Sequence, residues 1–302
     1  MKPEYAGNYT AVITPFAGLD NTDKIDFNKS AELIRRQFSA GIDGVVIAGS
    51  TGEGAHLTQK EVADLVCQAN VIATDEYENK KIIAGVSNQS VNHTIENMES
   101  VVYNGADAAM VMAPAVENII KYFQELNRLG VPIIVYNNPE RTGRNITMIE
   151  YSRLMEMRHI VAIKESEVMG ADKLNPQMKQ LNDLRKSAGF ENSVAILSGD
   201  DEFNFRAMNW GADGFISVIS NLVPDVMAQF RGLMNQGGVM SDLKNMSVYS
   251  MMDGNPQSIK FMMFMADLIR NYDVRGDVQI TRGGEDYLSK KQWHNSAVAN
   301  IR

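Results

Sequence analysis

Short, almost unbroken apolar runs alternate along this chain with stretches whose apolar residues recur at helical spacing. The runs Tyr9–Ile13, Gly44–Ala48, Lys81–Gly85, Ala108–Met112, Pro132–Tyr136, Ile160–Lys164, Val194–Ser198 and Gly214–Val218 read as eight buried strands. Their starts lie 20 to 37 residues apart, room for a crossover helix between parallel neighbours. Three junctions repeat one pattern: Gly41-Ile42-Asp43-Gly44, Gly105-Ala106-Asp107-Ala108 and Gly211-Ala212-Asp213-Gly214. In each, the first glycine suits the left-handed position just past a helix end. Eight such units predict an α/β chain folded as a (β/α)8 TIM barrel, with its active site at the C-terminal ends of the strands. A doubly wound sheet is the structural alternative. Beyond Gly237 the pattern changes to helical stretches near Val239–Met252, Pro256–Asn271 and Gly284–Ala299. The expected organisation is therefore a barrel over 1–237 and a small helical C-terminal extension over 238–302.

Composition narrows the function without deciding it. The 302 residues are 44% hydrophobic and 22% charged, enough for a large core. A net charge of −8 argues against a general nucleic-acid binder. No run approaches transmembrane length and the N-terminus lacks an apolar leader, so the expected location is the cytoplasm. The single cysteine, Cys67, rules out an internal disulfide and any cysteine-based metal cluster, and its amphipathic surroundings predict a core position. His56, His93, His159 and His294 show no paired spacing for a metal site. Of these, only His56 is near a candidate pocket, and a structural role is expected for it.

Three features carry chemistry. Lys164 ends the apolar run Ile160–Ile163; an ammonium there is costly to bury and tends to lose its proton. A neutral lysine amine at the mouth of a pocket is a nucleophile for carbonyl carbon, the start of Schiff-base chemistry. One unit earlier, Tyr136 ends its own strand and is followed by Asn137-Asn138-Pro139, placing a phenol where an imine needs an acid/base partner. After the second strand, Gly49-Ser50-Thr51-Gly52-Glu53-Gly54 fits neither a P-loop nor a dinucleotide fingerprint. Instead it is a glycine-rich turn with two hydroxyls, suited to cradling a carboxylate.

Taken together and in order, these motifs resemble the dihydrodipicolinate synthase / N-acetylneuraminate lyase family of class I aldolases. The match runs through Thr14-Pro15-Phe16, Gly49–Glu53, Tyr136–Pro139, Lys164-Glu165, Ser198–Asp201, Gly214–Asn221, and Asn255-Pro256 with Lys260. The resemblance implies a (β/α)8 enzyme that binds pyruvate, or a 2-oxo acid cleaved to pyruvate, as an imine on Lys164. It implies that Tyr136 relays protons, that Ser50 and Thr51 hold the pyruvate carboxylate, and that Gly214 and Ile216 line the substrate site. Arg141 stands where the synthase branch grips the carboxylate of aspartate semialdehyde, and a guanidinium suits that contact.

Two departures stand out. Met112–Asn118 lacks the tyrosine pair usual after strand 4, and Tyr122 falls on the following helix, so it is not expected to replace them. Ser50 replaces the threonine usual in synthases. The leading expectation is a pyruvate-dependent lyase of the synthase type. The alternatives are an aldolase or dehydratase for N-acetylneuraminate or 2-keto-3-deoxy sugar acids, and a non-catalytic paralogue that binds a 2-oxo acid. No metal or organic cofactor is expected, and the resemblance implies a homo-oligomer.

Overall fold

The computed structural model describes residues 2–18, 24–170 and 176–275. Eight parallel strands close into a barrel in sequence order: β1 (Asn8–Ala11), β2 (Gly44–Ile47), β3 (Lys81–Gly85), β4 (Ala108–Met112), β5 (Ile133–Asn137), β6 (Ile160–Glu165), β7 (Ala195–Ser198) and β8 (Gly214–Ser217). Closure comes from β8 lying beside β1, with Phe215 opposite Asn8 and Ile216 opposite Tyr9. All eight expected strands are present, their ends shifted by at most two residues, and the doubly wound alternative is excluded by closure.

The apolar runs are continuous because each strand is covered on both faces. Side chains of one parity, including Ala11, Val46, Ile83, Met110, Ile134, Ala162, Leu197 and Ile216, fill the barrel interior. Those of the other parity, such as Val45, Ile82, Val111, Val135 and Ile163, meet the surrounding helices. Helix Phe27–Ser39 shows how the second layer forms. Asp26 caps its first turn by accepting from Lys29 N at 2.9 Å, and its buried stripe is Leu33, Ile34, Gln37 and Phe38.

The repeated Gly-x-Asp junctions have one mechanical role. Gly41, Gly105 and Gly211 follow helix ends at φ +95°, +97° and +97°, where a Cβ would be strained. Two residues on, the aspartate takes a neighbouring strand's backbone N–H: Asp43 from Asn8 at 2.7 Å, Asp107 from Ile82 at 2.7 Å, and Asp213 from Ile196 at 2.9 Å. Each aspartate also returns its own N–H to that residue's carbonyl, closing a two-bond clasp.

After the barrel come helices Gly237–Met251 and Gln257–Met265. The second stops six residues short of the expected Asn271. The third expected stretch, Gly284–Ala299, lies outside the described residues. Cys67 corrects an expectation, being exposed. Leu65, Val66, Ala69, Ile72 and Ala73 supply the inward stripe of helix Gln59–Glu76, and Cys67 falls on the opposite side.

Candidate active site

Strand parity and register bring the first two groups together. Tyr136 and Lys164 continue the inward-facing rows of β5 and β6, and the two residues lie opposite each other in the sheet. The Lys164 Nζ sits 4.0 Å from the centre of the Tyr136 ring, a cation–π approach. Lys164 is 7% exposed and Tyr136 6%, both at the C-terminal mouth of the barrel. The outward neighbours fix the strand ends. Glu165, fully buried, accepts from Asn137 Nδ2 at 2.8 Å, Glu167 N at 2.7 Å, Gln177 Nε2 at 3.1 Å and the Tyr151 hydroxyl. Burial raises the pKa of Glu165 despite these donors.

These side chains open into a cavity of about 420 Å³. Ser50 and Thr51 line it from the turn after β2, Asn138 and Arg141 from the segment after β5, and Ser166, Gly199 and Asp200 from beyond β6 and β7. An adjoining space of about 310 Å³ shares Ser50, Tyr136, Arg141 and Asn255 with it. The Ser50–Thr51 turn is held from three sides. Thr14 Oγ1 donates to Gly52 O at 2.7 Å, and Asn255 Nδ2 donates to Thr51 Oγ1 at 2.9 Å. Glu53, at φ +59°, is locked in an ion pair with the buried Lys260 and accepts from Arg275 N at 2.6 Å. Ala48, at φ +52°, bends the chain at the other end of the turn. Among the described residues the amide and hydroxyl of Ser50 and the amide of Thr51 have no protein partner, which suits an arriving carboxylate.

On the opposite side, helix Pro139–Thr142 presents Arg141. Asn138 caps this helix, its Oδ1 accepting from Arg141 N at 3.1 Å, while its Nδ2 donates to the Tyr136 hydroxyl at 2.7 Å. One asparagine thus positions both the phenol and the segment carrying the guanidinium. Arg141 itself is exposed, and among the described residues its guanidinium has no partner.

The structure brings Lys164, Tyr136, Ser50, Thr51 and Arg141 to one cavity. Ile216 lies deeper, 1% exposed in the barrel interior beneath them. Gly214 is not brought there. It begins β8 at the far end of the barrel, where a Cβ would meet the Gly7 carbonyl oxygen at 1.8 Å, so its smallness serves strand packing. Gly199 is a glycine of the site that sequence reasoning left unassigned: a Cβ there would lie 2.1 Å from Ser166 Oγ and 3.0 Å from Lys164 Cε. Ser166, Asp200 and Asn255 also line the site, and sequence reasoning left them without a role. Tyr122 is buried on helix Ile119–Asn127, its hydroxyl bonded to Thr94 and to Asn88 O, as expected of a packing residue. His56 is exposed on the rim of the smaller space. Among the described residues no group of three or more His, Cys, Asp and Glu side chains is placed to hold a metal.

Comparison with known proteins decides the lineage. The family model described as the Dihydrodipicolinate synthetase family matches residues 4–279. The chain belongs to that family. It is therefore an enzyme of the class I aldolase type, a family of Schiff-base lyases. Over 228 residues it is 35% identical to the 4-hydroxy-tetrahydrodipicolinate synthase of Protochlamydia amoebophila, covering 73% of this chain and 71% of that protein. The solved 4-hydroxy-tetrahydrodipicolinate synthase of Methylacidiphilum fumariolicum is 26% identical, with a TM-score of 0.83 and 98% of each chain covered. The chloride-inhibited dihydrodipicolinate synthase of Acinetobacter baumannii, solved with pyruvate, is 25% identical, with a TM-score of 0.81 over 97% of this chain and 99% of that one.

Proposed function

We propose that this enzyme is a 4-hydroxy-tetrahydrodipicolinate synthase that condenses pyruvate, bound as an imine on Lys164, with aspartate semialdehyde. The observation that carries this reading is the convergence of Lys164, Tyr136 and an unpartnered Arg141 on one cavity. The Lys164 amine adds to the pyruvate keto carbon, and loss of water gives the iminium. That iminium is the electron sink, so no metal or organic cofactor is required. Pyruvate C3 then loses a proton and the resulting enamine attacks the aldehyde carbon, the Tyr136 hydroxyl relaying protons. Ser50 and Thr51 hold the pyruvate carboxylate, and Arg141 takes the carboxylate of the semialdehyde in a charge-assisted, bidentate contact.

Pyruvate with borohydride should leave one covalent adduct, on Lys164, that Lys164→Ala abolishes. An adduct on Lys260, or none at saturating pyruvate, would refute the mechanism. Arg141→Ala should weaken transition-state binding of the acceptor by about 1.5–3 kcal/mol while sparing imine formation. Cleavage of a 2-keto-3-deoxy sugar acid with no use of aspartate semialdehyde, unaffected by Arg141→Ala, would favour the sugar-acid reading instead. The same proposal includes a catalytic barrel over 1–237 and an extension over 238–302, a boundary supported by the helix that starts at Gly237. It also includes a cytoplasmic homo-oligomer with no nucleic-acid or membrane partner. The net charge of −8 supports the absence of a nucleic-acid partner, and among the described residues no helix is long and apolar enough to cross a membrane.

A further inference from the structure

Two polar side chains on one wall of the cavity are unused by the chemistry above. Ser166 follows Lys164 by two residues, and among the described residues its buried hydroxyl has no hydrogen-bond partner. Asp200 follows Gly199 and lines the same wall. Among the described residues its carboxyl accepts no hydrogen bond and joins no ion pair, so its oxygens lie more than 4.0 Å from Lys164 Nζ. That gap leaves room for substrate atoms between the two. Gly199 makes the grouping possible, because any side chain there would collide with Ser166 Oγ and crowd the Lys164 stem.

The adjacent acid shows the contrast. Asp201 is consumed by structure, taking the N–H groups of Val218 at 2.7 Å and Ile219 at 2.9 Å, and the Asn204 amide at 2.9 Å. Asp200 has no such donors. Burial pushes its carboxyl up to about 8; the charges of Glu165, Asp201 and Glu140 add to this, and Lys164 opposes it. A carboxylate near its ordinary value is too weak a base for an ammonium. One held this high is ionised in a minority of molecules near neutral pH, and that fraction is a competent base.

Aspartate semialdehyde carries an ammonium on the carbon that bears its carboxylate. Once the new C–C bond has formed, the product stays attached to Lys164 until that nitrogen displaces the lysine, and it needs its lone pair to do so. We propose that Asp200 is the base that deprotonates this ammonium, and that Ser166 holds the freed amine against the imine carbon. The proposal rests on the synthase reading above. The ammonium proton passes to the Asp200 carboxylate, and the amine lone pair forms the N–C bond to the iminium carbon. A proton then moves from the new ring nitrogen to Lys164 Nζ. The C–Nζ bond breaks, the lysine leaves as a neutral amine, and the ring nitrogen takes the double bond. Loss of the ring proton and return of the Asp200 proton to water complete the cycle, with no oxidant or reductant involved.

Trapping with cyanoborohydride and intact-mass measurement tests this. With pyruvate alone, Asp200→Asn should form the same adduct in the same yield as the wild type, which also reports a folded site. With both substrates its turnover should fall by roughly 10²–10⁴, and the trapped species should shift to the heavier adduct containing both carbon skeletons. Asp200→Ala should repeat that pattern, and Ser166→Ala should show it more weakly, with a raised KM for the aldehyde. Turnover of Asp200→Asn within twofold of wild type would overturn the proposal. So would slow turnover with only the pyruvate adduct trapped, which would place Asp200 before C–C bond formation. Loss of the pyruvate adduct in both Asp200 variants would overturn it too, as a purely structural role. Failure of the synthase reading would be seen separately, as a wild-type enzyme that forms the pyruvate adduct but ignores aspartate semialdehyde.

Discussion

Lys260→Met tests how the C-terminal extension holds the substrate turn. The side chains of Lys260 and Glu53 are 1% and 2% exposed, and their charged groups are paired. Nζ also donates to Asp273 O at 2.7 Å and stands 4.2 Å over the Phe16 ring. Burial lowers the pKa of Lys260, and Glu53 works against that shift. Methionine refills the volume of the stem, so the change removes the charge without opening a large cavity. What remains is a buried carboxylate that still accepts the Arg275 N–H at 2.6 Å. Breaking one partner of a buried pair costs about 3–5 kcal/mol. Glu53→Gln in the same background removes the stranded charge but keeps an oxygen for the Arg275 N–H. The double variant should therefore lose only about 1–3 kcal/mol, the cost of an unsatisfied neutral group. Urea unfolding of the wild type, both single variants and the double variant gives the cycle. Glu53→Gln alone strands the buried Lys260 ammonium and should also cost about 3–5 kcal/mol, so the expected coupling is at least about 3 kcal/mol, and Lys260→Met should also raise the KM for pyruvate, because Glu53 ends the turn that carries Ser50 and Thr51. A cost below about 1 kcal/mol for Lys260→Met, or effects additive within about 0.5 kcal/mol, would refute the reasoning.

Tyr136→Phe keeps the ring against Lys164 but removes the hydroxyl that Asn138 orients, so steady-state turnover should fall by roughly 10²–10⁴ with the circular dichroism spectrum unchanged; kinetics within twofold of wild type would move the proton relay to another group. Asp200 also gives a pH test. Its folded-state carboxyl sits near 8 against an ordinary 3.8, so the folded protein holds an extra proton between those values and loses stability as pH rises through that window. Glu165 and Asp201 are shifted in the same direction and contribute to the same slope. Asp200→Asn should therefore be more stable than wild type at pH 9 and little different at pH 4, read as urea midpoints; an equal difference at both would show that the carboxyl is not desolvated.

What could be read from the sequence follows from how local each signal is. Double burial makes barrel strands nearly pure apolar runs, so all eight were visible, as were Tyr136 and Lys164 as polar residues ending such runs. The roles of Gly199 and Gly214 were not, because each depends on what approaches the missing Cβ: Ser166 and Lys164 in one case, Gly7 in the other. Neither neighbour can be deduced from the glycine's own surroundings. Asn255 meets Thr51 across 204 residues, and Lys260 meets Glu53 across 207, so no periodicity could pair them. Cys67 shows the same limit on a smaller scale: its stretch reads as amphipathic, but helical phase, not residue type, sets the inward face, and phase turns Cys67 outward.

The aspartate clasps divide the barrel in a way that bears on its breathing. They tie β1 to β2, β3 to β4, and β7 to β8 at the end remote from substrate. In β5 and β6 the corresponding position is His159, whose carbonyl accepts from Ile133 N at 2.7 Å and which offers no carboxylate to complete the second bond. That pair is instead fastened at its other end, by Asn137 to Glu165, directly behind Tyr136 and Lys164. Transient opening between these two strands is thereby directed to the floor of the barrel. In hydrogen exchange, Ile133 and Ile160 should lose protection before Tyr136 and Lys164 do, so thermal motion in this unclasped pair is spent away from the groups that must keep their alignment through each turnover.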